Sequence, residues 1–153
     1  MTITSDKSIL YAADAVAAFI ELADHTYLLQ KRDDKEGVWY PDHWGLFGGA
    51  VEDNETPLDA LYRELKEELN FDAANAKPVL EQNNDLTKID AGNIYRKFYV
   101  VSMSMEQLNM LELHEGQEYG AFKAEQIFNE LRVTPYDAFA LFLWIYRGRI
   151  AHK

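Results

Sequence analysis

Glu64, Glu67 and Glu68 are the residues of this chain best placed by type and spacing to do chemistry. On an α-helix, side chains three and four positions apart are neighbours, so Glu64 lies beside both Glu67 and Glu68. Carboxylates held together repel one another. A hard cation relieves that repulsion, and Mg²⁺ in particular binds carboxylate and water oxygens and often shares them with phosphate. The same residues are also the ordinary composition of a solvated helix face. What surrounds them decides between the two readings.

The acids sit on a stretch that reads as an amphipathic helix. Between Thr56 and Leu69 the apolar residues fall at Leu58, Leu61, Tyr62, Leu65 and Leu69, the spacing of one buried face. Pro57 suits the first turn, Thr56 or Glu55 can cap the start, and Asn70 can end the helix in the left-handed conformation. Before it, residues 15–22 are apolar enough for a buried strand, residues 23–25 turn the chain, and residues 26–31 return as the second strand of a hairpin. Residues 32–43 read as a loop, charged and then aromatic, broken by Gly37 and Pro41. Trp39, Tyr40 and Trp44 can line a pocket for a flat base, or else cap the core at a sheet edge.

Beyond the helix, a short strand is expected at residues 78–80 and a turn at residues 82–85. A hairpin of residues 86–89 and 94–103 then folds about Asp90-Ala91-Gly92-Asn93. Residues 105–110 read either way. A short strand at 119–122, a short helix at 124–131 and a last helix at 135–146 follow, with Phe139, Phe142, Leu143 and Tyr146 expected in the core. Residues 1–13 are a polar lead-in with room for an edge strand.

The order Gly49, five residues, Glu55, seven residues, Arg63-Glu64-Leu65, one residue, Glu67-Glu68, one residue, Asn70-Phe71 resembles the Nudix box. Gly49, Glu55, Arg63, Glu64, Glu67 and Glu68 agree in identity and spacing, and Leu65 and Phe71 fit the aliphatic-or-aromatic positions. At background frequencies of about 5–7% per residue type, an accidental match is on the order of one in a hundred thousand for a chain this long. Asn70 departs from the glycine the family prefers, but both residues can end a helix in the left-handed region. Trp44-Gly45-Leu46-Phe47-Gly48-Gly49 resembles the strand that leads into the box, with Phe47 where proline is common. The resemblance covers residues 49–71 and this short lead.

The resemblance implies an α/β fold, the Nudix-type α/β/α sandwich with a mixed β-sheet flanked by helices, as one domain over residues 1–153. It implies hydrolysis of the phosphoanhydride bond of a nucleoside diphosphate linked to another moiety, by metal-assisted attack of water on phosphorus. NTPs, oxidised NTPs and NDP-sugars all remain open as substrates. The barrier to such a reaction is largely electrostatic and positional, and Mg²⁺, with Mn²⁺ as a substitute, addresses both. By position in the box, Glu67 and Glu68 are the principal metal ligands and Glu64 a further ligand or base. The main-chain carbonyl at Gly49 is an additional ligand, because glycine lets the backbone approach an ion closely. Glu55 and Arg63 pair, holding the loop against the helix as structural support. In many relatives the base is a glutamate on a loop after the later strands. Glu118 is the first candidate here and Glu115 the second, beside His114, though each also reads as a solvated loop acid. Arg32, ahead of Lys31 and Arg96, is the expected phosphate contact.

Composition narrows the field further. The net charge of −11 argues against non-specific nucleic-acid binding and against RNA decapping. It leaves small phosphorylated substrates open, since a metal neutralises their charge locally. The absence of cysteine excludes disulfides, thiolate metal sites and cysteine catalysis, and with them the isopentenyl diphosphate isomerase branch that the family also contains. No apolar run reaches the length of about 18 residues that would span a membrane, and the N-terminus lacks an apolar signal core. A cytoplasmic protein is therefore the expectation. A non-catalytic nucleotide-sensing domain is the alternative to an enzyme, although every acid of the box is present. The resemblance also leaves a homodimer open.

Overall fold

A computed structural model of the chain describes residues 12–153. The edge strand expected in the polar lead-in lies outside them.

The sheet is organised around β1 (Ala15–Leu22). Side chains alternate across a strand, and both faces of β1 are covered. Val16, Ala18, Ile20 and Leu22 enter one core with Leu61, Leu65 and Leu69, while Ala17 and Phe19 enter a second core with Ile127, Ala140 and Leu141. Burial on both faces is why residues 15–20 are a continuous apolar run. On one side, β1 pairs parallel with β5 (Asn93–Met103), from Ala15↔Arg96 to Leu22↔Met103. On the other, it pairs antiparallel with β2 (Tyr27–Lys31). The outer edge of β2 takes β6 (Glu118–Phe122), and β5 takes β4 (Lys77–Asp85), both antiparallel. With a short β3 (Trp44–Gly45) beside β2, the result is a mixed sheet in the order β3-β2-β1-β5-β4 with β6 on β2.

The lead into the box is only briefly a strand. β3 (Trp44–Gly45) pairs with β2 at Gln30↔Gly45. The chain then follows the edge of β1 through single bridges, Ala18↔Phe47 and Ala15↔Ala50. Gly48 has φ 137°, and a Cβ there would collide with the Val16 carbonyl, so glycine is what allows this close crossing.

Helix α1 (Pro57–Leu69) covers one face of the sheet. Thr56 caps it by accepting from Asp59 N at 3.2 Å, and Asn70 ends it at φ 50°. The short α2 (Met105–Asn109) follows β5 and begins with a capping box of Ser104 and Gln107. α3 (Ala124–Asn129) and α4 (Pro135–Ile145) cover the opposite face. The layers are thus helix, mixed sheet, helix.

Three expectations are corrected. The amide-rich residues 82–85 are not a turn: they are the end of β4, paired residue by residue with β5 from Gln82↔Arg96 to Asp85↔Asn93. An outer strand can carry polar side chains because its edge meets water. Residues 86–89 are not a strand, since Thr87–Ile89 form a 3-10 turn, and the hairpin is therefore β4–β5. Phe139 and Phe142 are not core residues, being 57% and 46% exposed. The sequence of α4 is apolar almost all round, so its periodicity does not reveal which face turns inward; the buried face is Asp137, Ala140 and Leu141.

Candidate active site

The loop before α1 is fastened to the helix by Arg63. Its guanidinium donates to both oxygens of Glu55, at 2.8 and 3.0 Å, and to the Ala50 carbonyl at 3.0 Å. The remaining nitrogen, Nη1, donates to Glu64 at 2.7 Å and Glu67 at 3.2 Å. Hydrogen bonding from Arg63 holds the Glu55 carboxyl below its ordinary range. Surrounded by carboxylates, Arg63 titrates well above the usual arginine range, with the Glu55 hydrogen bond the largest cause.

The three box acids differ in environment. Glu67 is exposed. Glu64 is half-buried against the main chain, and a Cβ at Gly49 would come within 2.5 Å of its carboxylate. Burial raises its pKa against the opposing pull of Arg63. Glu68 is only 3% exposed, an unusual position for an acid with no cationic partner among the described residues. One of its oxygens accepts from Gln30 Nε2 at 3.1 Å and the other from Gly48 N at 3.0 Å. Burial still dominates and pushes it up to about 8.

Among the described residues, no three Asp, Glu or His side chains form a ready-made metal cage. The donor set nevertheless fits a hard divalent cation. Its donors are all oxygen, two of its carboxylates are held up by desolvation that a cation would offset, and Glu67 is tied only by an exposed bond to Arg63 that can be released. The Gly49 carbonyl accepts from Val16 N at 2.9 Å and keeps a second lone pair.

The later loop closes on the C-terminal end of α1. Glu112 N and His114 N donate to the Leu69 and Glu68 carbonyls at 3.0 and 2.8 Å, and His114 Nδ1 lies 3.1 Å from the Glu67 carbonyl. Glu115 follows directly, and its charge adds to the raised pKa values of both Glu64 and Glu68. Glu118 stands apart on β6, opposite Lys31 with their charges 3.8 Å apart. It does not join the box acids.

The aromatic loop is held beside α4. Arg32 Nε donates to the Trp39 carbonyl at 2.7 Å. Trp39 and Tyr40 each meet Tyr136 edge-on, at 6.4 and 5.8 Å between centroids. Trp44 is separate, packed against Phe122 at 4.8 Å, within the second core. Arg96 lies over Tyr136 at 4.9 Å and pairs with Asp137 at 2.8 Å.

Gln30, Tyr136 and Asp137 are the residues at this site that sequence reasoning missed. A lone acid in the otherwise apolar helix PYDAFALFLWI was a signal for Asp137, since a buried charge needs partners. Gln30, a polar residue following the apolar YLL of the second strand, was a weaker one.

The NUDIX domain profile matches residues 12–142. The nucleoside triphosphatase NudI of Escherichia fergusonii is 52% identical over 46 residues, 30% of this chain and 32% of that protein. An RNA pyrophosphohydrolase of Sulfurovum sp. is 29% identical over 99 residues, 58% of this chain and 63% of the relative. The chain thus spans about a third of the one and less than two thirds of the other. Among solved structures, a MutT protein from Methanosarcina mazei Go1 superposes with a TM-score of 0.72 at 20% identity, over 94% of this chain and 100% of that one. The dihydroneopterin triphosphate pyrophosphohydrolase of E. coli does so with a TM-score of 0.64 at 18% identity, over 92% and 99%. The two structures share the fold described above, and the profile match spans most of the sequence, so the chain belongs to the NUDIX domain family.

Proposed function

We propose that this chain hydrolyses a phosphoanhydride bond in a nucleoside diphosphate linked to another group, with Mg²⁺ held by Glu64, Glu67, Glu68 and the Gly49 carbonyl, or Mn²⁺ in its place. The observation that carries this reading is Glu68: a carboxylate 3% exposed, with no cationic side chain beside it among the described residues and both oxygens held by neutral donors. Such a group costs stability unless a cation completes it. The names of the relatives, a nucleoside triphosphatase and two pyrophosphohydrolases, favour a nucleotide triphosphate or a related anhydride as the substrate.

When bound, the metal would neutralise charge on the phosphate oxygens and polarise them. The chain's own residues do the rest. Arg63 and Glu55 hold the Gly49 loop to α1, so that the backbone carbonyl and the carboxylates keep one geometry. Glu115 is better supported than Glu118 as the acid that takes a proton from the attacking water, because it lies on the loop docked at the end of α1 and its charge is felt by Glu64 and Glu68. Tyr136, Trp39 and Tyr40 offer ring edges and faces for a base. Arg32 and Arg96 supply positive charge near Tyr136, whose hydroxyl burial pushes up against the opposing pull of both arginines.

A release assay for phosphate and pyrophosphate tests the reading, run over NTPs, oxidised NTPs, NDP-sugars and dinucleotides, with Mg²⁺ and with chelator. Turnover of at least one class that vanishes with chelator and in Glu67→Gln is expected. Metal-dependent binding without release from any of them would favour a nucleotide-sensing domain instead.

A further inference from the structure

Gln30 is 4% exposed, on the stretch of β2 where both β3 and β6 pair. Its amide nitrogen faces two acceptors, Glu68 Oε1 at 3.1 Å and the Leu46 carbonyl at 3.3 Å. That fixes the orientation of the amide, because a flipped group would set an oxygen against both. The amide oxygen lies on the other side, 2.9 Å from where a Cβ on Gly116 would stand, so it packs against the turn next to Glu115. Gly48 N holds the second oxygen of Glu68 at 3.0 Å. Each oxygen of a carboxylate has two acceptor directions. With one on each oxygen taken by a neutral donor, the carboxylate keeps a fixed plane and still has lone pairs to offer.

We infer that Gln30 is a positioning residue for the metal site: its amide sets the plane of the Glu68 carboxylate and joins that carboxylate to the Leu46–Gly49 lead on one side and to the Glu115 turn on the other. This rests on the reading of Glu68 as a metal ligand. Partners that orient a ligating side chain commonly govern affinity by about 10- to 100-fold when removed. The amide of Gln30 is neutral, so it orients Glu68 without competing with a cation for its charge.

The test is Mn²⁺ affinity, measured by electron paramagnetic resonance on the full chain without substrate, with thermal unfolding in EDTA as the control for folding. Four proteins are compared: wild type, Gln30→Met, Glu68→Gln and Thr134→Val. Gln30→Met keeps length and volume and loses the donor. Thr134→Val removes a different buried hydrogen bond, the 2.9 Å contact to Asp137. The expected result is Mn²⁺ affinity about tenfold or more weaker in Gln30→Met and close to wild type in Thr134→Val, even where both unfold at lower temperature. If Glu68→Gln weakens binding and Gln30→Met does not, the role of Gln30 is overturned while the ligand reading stands. If Glu68→Gln itself binds as wild type does, both are overturned. Should Gln30→Met fail to fold, Gln30→Asn, which withdraws the amide by one methylene, replaces it with the same expected loss and the same overturning result.

Discussion

Arg63 grips Glu55 through two parallel hydrogen bonds, Nε to one carboxylate oxygen at 2.8 Å and Nη2 to the other at 3.0 Å. The same side chain reaches the Ala50 carbonyl and Glu64, so a single planar fork ties the loop, the helix and the Glu64 carboxylate together. Lysine keeps the charge but cannot reproduce the fork. Arg63→Lys is expected to lower the free energy of unfolding in urea by about 1–3 kcal/mol and Mg²⁺-dependent turnover by about tenfold or more. A variant with wild-type midpoint and rate would show that this clamp is idle.

Glu68 gives a pH dependence with a definite sign. Its carboxyl is pushed from the ordinary 4.5 up to about 8 in the folded chain, chiefly by burial. Below about 4.5 the group is protonated in both folded and unfolded states and costs nothing. Above about 8 it is ionised in both, and the folded state bears the full desolvation cost, a few kcal/mol. In EDTA, therefore, the contribution of this group makes stability fall as pH rises between those values. Urea midpoints at pH 5.5 and pH 8.5 measure it, with Glu68→Gln as the reference that lacks the titration. Mg²⁺ is expected to restore stability at the higher pH by mass action on the folded state. A wild-type midpoint that holds or rises relative to Glu68→Gln across this range would contradict the assignment.

These features differ in how far the sequence could reveal them. The spacing of Leu58, Leu61, Leu65 and Leu69 and the capping residues Thr56 and Asn70 are local signals, and α1 spans what they foretell. The apolar run of β1 marked a strand covered on both sides. What was not readable depends on contacts between distant parts of the chain. Glu68 turns inward because Gln30, 38 positions earlier, receives it. Asp137 reaches Leu46 across 91 positions. Residues 82–85 have the composition of a turn, and only their register against β5 makes them strand. Glu115 and Glu118 are three positions apart, yet the docking of residues 112–114 onto α1 and the start of β6 send them to different places.

Asp137 is 1% exposed and is held by three groups: Leu46 N at 3.0 Å, Thr134 Oγ1 at 2.9 Å and Arg96 Nη1 at 2.8 Å. Removing one member of a buried ion pair strands the other, at a cost of about 3–5 kcal/mol. Asp137→Ala is expected to fall in that range in urea, and Asp137→Asn, which keeps an acceptor for Leu46 N, to lose less. Arg96→Met in the Asp137→Ala background should recover part of the loss, because the stranded charge is gone. No recovery in the double variant would mean that the Leu46 and Thr134 bonds, not the ion pair, account for the effect.

The last helix separates exposure from hydrophobicity. Leu141 is fully buried beneath α4, while Phe139, two positions earlier on the same helix, is 57% exposed. Truncating a buried leucine costs its transfer free energy and leaves a cavity, about 2–5 kcal/mol together, so Leu141→Ala is expected to unfold well below wild type. Phe139→Ser replaces a ring that already faces water, and its expected effect on the isolated chain lies within about 0.5 kcal/mol. Urea unfolding of both variants at low protein concentration makes the comparison. If Phe139→Ser instead loses stability comparable to Leu141→Ala, with a loss that grows as wild-type and variant chains are concentrated, the ring is buried in an assembly. The outward face of α4 would then be an interface between copies, and the expectation of a neutral substitution would fail.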